Sequence, residues 1–149
     1  MDALTAELDR WLYALSPSAR LVLARDIAKS LAASQRARIA SQRNPDGSAY
    51  VPRKTQAKTK AGSIKRGAMF KKLGTARYMR ATSTADAVTI SFVGHVQRMA
   101  QVHQFGWKDS VFNEGRKGPT VKYAARELLG ITEQERETLT DLILRHLTA

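Results

Sequence analysis

The chain contains no cysteine, and that absence removes disulfides, thiolate metal sites and cysteine nucleophiles together. A reducing compartment is compatible with it. No run approaches the ~20 apolar residues that a bilayer-spanning helix needs, so no membrane partner is expected. The opening MDALTAELDR has early acids and no basic region leading into an apolar run, which is not the pattern of a signal peptide. The expectation is a soluble protein made in the cytoplasm. Walker-type loops, GxGxxG, GxSxG and HExxH are all missing. Between Gly47 and Ala85 there is no carboxylate, which argues against general acid–base pairs and two-metal nuclease sites. Of three histidines, His95 and His103 share roughly one helix face with no acid between them. One surface and one packed histidine explain them better than metal ligation. Neither catalysis nor a metal nor any other cofactor is expected.

Positive charge is abundant. The formal net charge is +12 on 149 residues, a balance that calls for an acidic or polyanionic partner. Its placement says more than its size. Ten basic residues and no acid lie between Gly47 and Ala85, whereas the rest of the chain has 15 bases against 13 acids. Arg53, Lys54, Lys58, Lys60, Lys65, Arg66, Lys71 and Lys72 are therefore the candidate contacts to a partner protein or to DNA.

Along the chain, Leu4, Leu8, Trp11, Leu12 and Leu15 follow one helical face over residues 2–15, with Asp2 as N-cap. Ser16-Pro17 is a cap followed by proline at the first helical position, starting a helix to about Ala40. Leu21, Ala24, Ile27, Ala28, Leu31 and Ile39 should face inward. Arg36, Arg38 and Arg43 suit the negative end of its dipole. Asn44-Pro45-Asp46-Gly47 reads as a turn. Ser48–Gly67 has little periodicity and reads as a flexible basic segment, about 48–67, ordered only against a partner. Ala68–Leu73 suits a helical turn. Arg77–Thr82 and Ala87–Val93 suit an antiparallel hairpin, the second strand placing Val88, Ile90 and Phe92 on one face. His95–Phe105 returns to helix and Gly106 stops it. Phe112–Thr120 reads as a hairpin tip. Thr132-Glu133-Gln134-Glu135 is a capping box, followed by a stripe of Leu139, Leu142, Ile143 and Leu147. The acids around it are explained by capping and the dipole. The fold class expected is α+β in a single domain, 1–149. Helices sit at both ends around a small antiparallel sheet.

Ten cations could neutralise phosphates in a salt-sensitive way. Tyr50, Phe70 and Tyr78 are too far apart for a stacking platform, and no helix-turn-helix, zinc finger or RNA-binding signature occurs. A sequence-nonspecific DNA-binding protein is the alternative reading to an assembly protein.

Three ordered features carry a resemblance. Arg43-Asn44-Pro45-Asp46-Gly47-Ser48 precedes Tyr50, Pro52 and a Lys-rich tract. Ile90-Ser91-Phe92 leads into Ala100-Gln101-Val102-His103-Gln104-Phe105-Gly106. Tyr123-Ala124-Ala125-Arg126-Glu127-Leu128-Leu129-Gly130-Ile131-Thr132 precedes the last helix. In this order the chain resembles the tail completion protein S family of tailed phages, also called the phage virion morphogenesis family, from about Leu21 to the C-terminus. It departs from the pattern in flanking Arg126 with Ala125 and Glu127, where proline is expected nearby. The resemblance implies a structural role at the head-proximal end of a contractile tail, as terminator or neck ring, enabling head–tail joining. It implies assembly in the host cytoplasm and a place in the virion. The implied partners are copies of itself in a ring, expected to be hexameric, with tail tube, sheath and connector or neck proteins, and contact with DNA. About 20 extended residues could span up to ~65 Å, enough for an arm. Pro45, Asp46, Gly47, His103, Gln104, Gly106, Trp107, Arg126 and Gly130 are the turn or interface candidates. A packed or capping role outweighs an interfacial one for His103 and Gln104. Arg126 could meet an acid of a neighbouring subunit. Trp107 is either a core residue or an interface anchor.

Overall fold

The computed structural model describes residues 2–54, 68–113 and 115–148. Helix α1 spans Ala3–Ala14 and α2 spans Pro17–Ala40; strands β1 (Met79–Ser83) and β2 (Val88–Phe92) precede α3 (Gly94–Phe105). Strands β3 (Lys108–Asn113) and β4 (Arg116–Lys122) precede α4 (Glu133–Thr148). The class is α+β, as expected, but the sheet is two separate antiparallel hairpins rather than one. Each pair closes locally, β1 on β2 and β3 on β4, with α3 between them in the chain.

Local chemistry sets the element ends. The Ser16 hydroxyl accepts the Ala19 N–H at 3.4 Å, with Pro17 opening α2. Gly106 ends α3 in the left-handed region at φ 64°. A Cβ there would lie 3.0 Å from the Ala125 nitrogen, so both conformation and space favour glycine. Thr132 and Glu135 form the reciprocal box: the Thr132 N–H reaches Glu135 Oε2 at 2.7 Å, and the Glu135 N–H reaches Thr132 Oγ1 at 3.1 Å. Asp2 holds the N-cap position of α1 without a side-chain bond.

Helix α2 is the central element and packs against both strands of the first hairpin and against α4. Ala24, Ala28 and Ala32, four apart, are buried along it, and their small side chains permit close approach. The core gathers Ile39, Tyr50, Met69, Leu73, Met79, Phe92, Ala100 and Leu128. Met79 faces Phe92 across the hairpin. Each large apolar side chain buried here stabilises the fold by about 1.5–3 kcal/mol.

Three expectations need correction. The apolar face of α1 is not core, because Leu4, Leu8, Trp11, Leu12 and Leu15 are all exposed. Among the described residues, α1 packs against α4 and α2, and Ala14 is its buried residue. In α4, Leu139, Leu142 and Leu147 are half-buried, but Ile143 is exposed. Residues 48–54 are not all free of the body either. Ala49 bridges to Arg43 and Tyr50 is 4% exposed, since the Tyr50 ring finds a place in the core. The remainder of the expected flexible segment, 55–67, lies outside the described residues.

Candidate assembly site

The three sequence motifs meet around one irregular strap, residues 123–132, that joins β4 to α4. A strap without ladder partners must satisfy its backbone groups elsewhere, and here side chains do so. Gln104 Oε1 accepts the N–H groups of Leu128 and Leu129 at 2.8 and 3.0 Å, while its Nε2 donates to the Leu129 carbonyl at 2.8 Å. The Glu127 N–H donates to Asn44 Oδ1 at 2.8 Å. Gly130 donates its N–H to Gln35 Oε1 and accepts from Gln35 Nε2 and Arg38 Nη2. Pro45 stacks against Gly130 so closely that a Cβ there would lie 2.5 Å from Pro45 Cγ.

The turn before the basic segment is built as expected. The Gly47 N–H returns to the Asn44 carbonyl at 2.9 Å, and Gly47 has φ 86°. Asp46 Oδ1 accepts from both the backbone N–H and the hydroxyl of Ser48, and the hydroxyl bond comes first in holding this carboxyl below its usual range.

Arg126 is 6% exposed. Its guanidinium donates to the carbonyls of Val51 at 2.7 Å and Pro52 at 3.1 Å. Among the described residues no acid forms an ion pair with it; it grips the beginning of the basic segment by its backbone. Its Nη1 lies 3.3 Å from His103 Nδ1. Guanidinium only donates, so Nδ1 accepts and His103 is neutral. Burial, then the Arg126 and Arg53 charges, push His103 down to about 4. The imidazole also packs edge-on against Phe70 and Tyr123, centroids 4.7 and 5.0 Å away.

A polar cluster that sequence reading missed holds α4. Arg38 and Glu135, 8% and 12% exposed, pair at 3.0 Å. Ser34 Oγ donates to Glu135 Oε1 at 2.5 Å, Gln35 Nε2 reaches the same oxygen, and Arg38 also meets Gln35. Arg38 is thus a buried ion-pair partner rather than a surface cation at a helix end. The signal that could have found it is position: Gln35 and Arg38 continue the inward stripe of α2. Burial opposes ionisation of Glu135. The Ser34 hydroxyl, the Thr132 N–H and the Arg38 charge outweigh it and lower its pKa.

The basic candidates divide. Arg53, Lys54, Lys71 and Lys72 are exposed; Lys58, Lys60, Lys65 and Arg66 lie outside the described residues. Pro45, His103, Gln104, Gly106, Arg126 and Gly130 all make intrachain contacts. Trp107 is not core: it is 50% exposed and stacks on exposed Phe105, centroids 5.1 Å apart. An open groove of about 300 Å³ between β2 and α3 is lined by Ile90, Phe92, Ala100 and Gln101 among others. No group of three His, Asp or Glu side chains among the described residues could hold a metal ion. No described helix is long and apolar enough to cross a membrane.

No solved structure matches the chain. The chain is 38% identical over 135 residues to Tail completion protein S of Escherichia phage P2, covering 89% of this chain and 87% of that relative. The model of the phage virion morphogenesis family matches residues 2–148. A match that takes in the clamped strap, the turn and all four helices shows that this chain belongs to the phage virion morphogenesis family.

Proposed function

We propose that the protein is a structural component of virion assembly that completes the head-proximal end of a contractile phage tail, as terminator or neck ring, and enables head–tail joining. The carrying observation is the likeness to Tail completion protein S, which extends over most of both chains. It therefore concerns the whole domain and not one motif.

The geometry supports an assembly part. Its polar side chains are used to clamp a strap and to hold the root of a cationic segment, and the chain leaves large apolar side chains on its surface. Rigid roots with charged reach suit a subunit that docks on tube, sheath or connector proteins. Copies of the chain would form a ring, hexameric to match the tail, in the virion after assembly in the host.

The test is complementation of a phage lacking this gene. Replacing Lys58, Lys60, Lys65 and Arg66 together with serine should leave the purified protein folded, while micrographs show tails and heads unjoined. Normal yields of infectious particles from that variant would overturn the reading of the basic segment. Normal yields without any copy of the gene would overturn the function itself.

A further inference from the structure

Two exposed surfaces of this chain complement each other. The first is α1. Leu4, Leu12 and Leu15 are 63%, 69% and 55% exposed, and Leu8 and Trp11 are each 47% exposed. By the helical period, Glu7 and Asp9 flank this stripe on its two sides, and both are exposed. With its cap, α1 carries three acids, Asp2, Glu7 and Asp9, against Arg10 alone, in a chain of 25 bases and 13 acids. A 12-residue helix is marginal without an apolar face buried against something.

The second surface lies where α3 gives way to the second hairpin. Phe105 and Trp107 stack in the open, 58% and 50% exposed. Beside them, Lys108 lies directly opposite Lys122 across the β3–β4 pair, both exposed. Like charges directly opposite one another on a ladder are destabilising. A cationic pair beside an uncovered aromatic stack fits a partner that is apolar and acidic at once. Helix α1 has that character.

We propose that copies of this chain associate head to tail, the apolar stripe of α1 in one copy covering the Phe105–Trp107 stack of the next, with Glu7 and Asp9 meeting Lys108 and Lys122. This contact is heterologous, joining two different patches, so its repetition does not stop at a dimer and builds a ring when the rotation between copies closes. It rests on the ring reading above and names the surfaces that would build the ring.

The lack of cysteine makes the test clean. Leu12→Cys and Trp107→Cys variants of the full chain are treated with a short bismaleimide, as purified protein and within assembled tails. The expected result is a crosslinked dimer only when the two variants are mixed, and a ladder of higher species from the double variant. Lys108→Glu with Lys122→Glu should abolish the crosslink, and adding Glu7→Lys with Asp9→Lys should restore it; these sites are exposed, so folding is preserved. Crosslinking of Leu12→Cys to itself, or no Leu12–Trp107 product in either setting, would overturn the interface. If such a chain still completes tails, the proposed function stands and only this interface falls.

Discussion

Gln42 holds Met69 by both backbone groups: its Nε2 donates to the Met69 carbonyl at 2.8 Å, and its Oε1 accepts the Met69 N–H at 2.7 Å. The Gln42 carbonyl accepts the Tyr50 N–H at 2.8 Å as well. One residue therefore ties the positions where the chain leaves and re-enters the core on either side of the basic segment. It does so from the left-handed region, φ 58°, which costs a non-glycine residue about 1–2 kcal/mol.

Gln42→Ala should lower stability by about 1–3 kcal/mol, because it keeps the backbone strain and leaves the Met69 groups without their partner. Gln42→Gly removes the same bonds but relieves the strain, so it should be the milder change. Chemical denaturation of both variants checks the order. A glycine variant less stable than the alanine one would show that relief of the left-handed backbone strain is not the term that separates them.

His103 makes the fold sensitive to mild acid. Unfolded, it takes up a proton near its ordinary 6.5; folded, only near 4. Between these values the unfolded chain binds the extra proton, so stability falls as pH drops from about 6.5 towards 4. Protonation would also break the bond from Arg126 and set two cations side by side. His103→Leu keeps apolar contact with Phe70 and Tyr123 and removes the titration. Its melting temperature should change less than the parent's across that window, and an unchanged slope would count against this assignment.

What sequence could show was what lies within a few residues. The Ser16-Pro17 start, the Gly106 stop, the first hairpin and the Thr132–Glu135 box are each decided by neighbours along the chain, and each is in place. The stripe on α1 was visible as a helix face. Nothing local distinguishes a stripe that meets the core from one left open. Arg38 and Glu135 are 97 residues apart, and each had a sufficient local explanation, in dipole and cap, that concealed their pairing. The motif residues behaved similarly. Pro45, Gln104, Arg126 and Gly130 were legible as a set, but that they clamp one strap follows from tertiary approach alone.

The Arg38–Glu135 pair predicts a second, lower acid transition. Glu135 is held below its ordinary 4.5 in the folded chain, so the unfolded chain protonates first. The stabilisation is complete above 4.5 and is lost as pH falls further. Glu135→Ala leaves Arg38 buried without its acid and removes half of the capping box. A loss of about 3–5 kcal/mol at neutral pH follows from breaking such a pair on one side. Glu135→Gln keeps the shape and part of the hydrogen bonding and should lose less. Urea denaturation at pH 7 ranks the two, and repeating it at pH 4 should show both with a weaker pH dependence below 4.5 than the parent, since neither retains the titrating carboxyl.

The contact between Pro45 and Gly130 joins the first motif to the third, and a double-mutant cycle can weigh it. Gly130→Ala places a Cβ 2.5 Å from Pro45 Cγ and 3.2 Å from its Cβ. The strap must shift, and with it the Gly130 carbonyl that Gln35 and Arg38 hold. Overpacking of this kind costs about 1–3 kcal/mol. Pro45→Ala alone removes the ring atoms and loosens the turn, a milder loss. In the double variant the 2.5 Å clash is gone, since the ring Cγ is absent, and only the 3.2 Å approach remains. The two losses should then fall short of adding by about 1 kcal/mol. Strict additivity in thermal or urea unfolding would mean that the strap does not rest on the turn. A shortfall would show that the turn before the basic segment and the strap before α4 are held as one unit, so that a load applied to the segment is passed to the last helix.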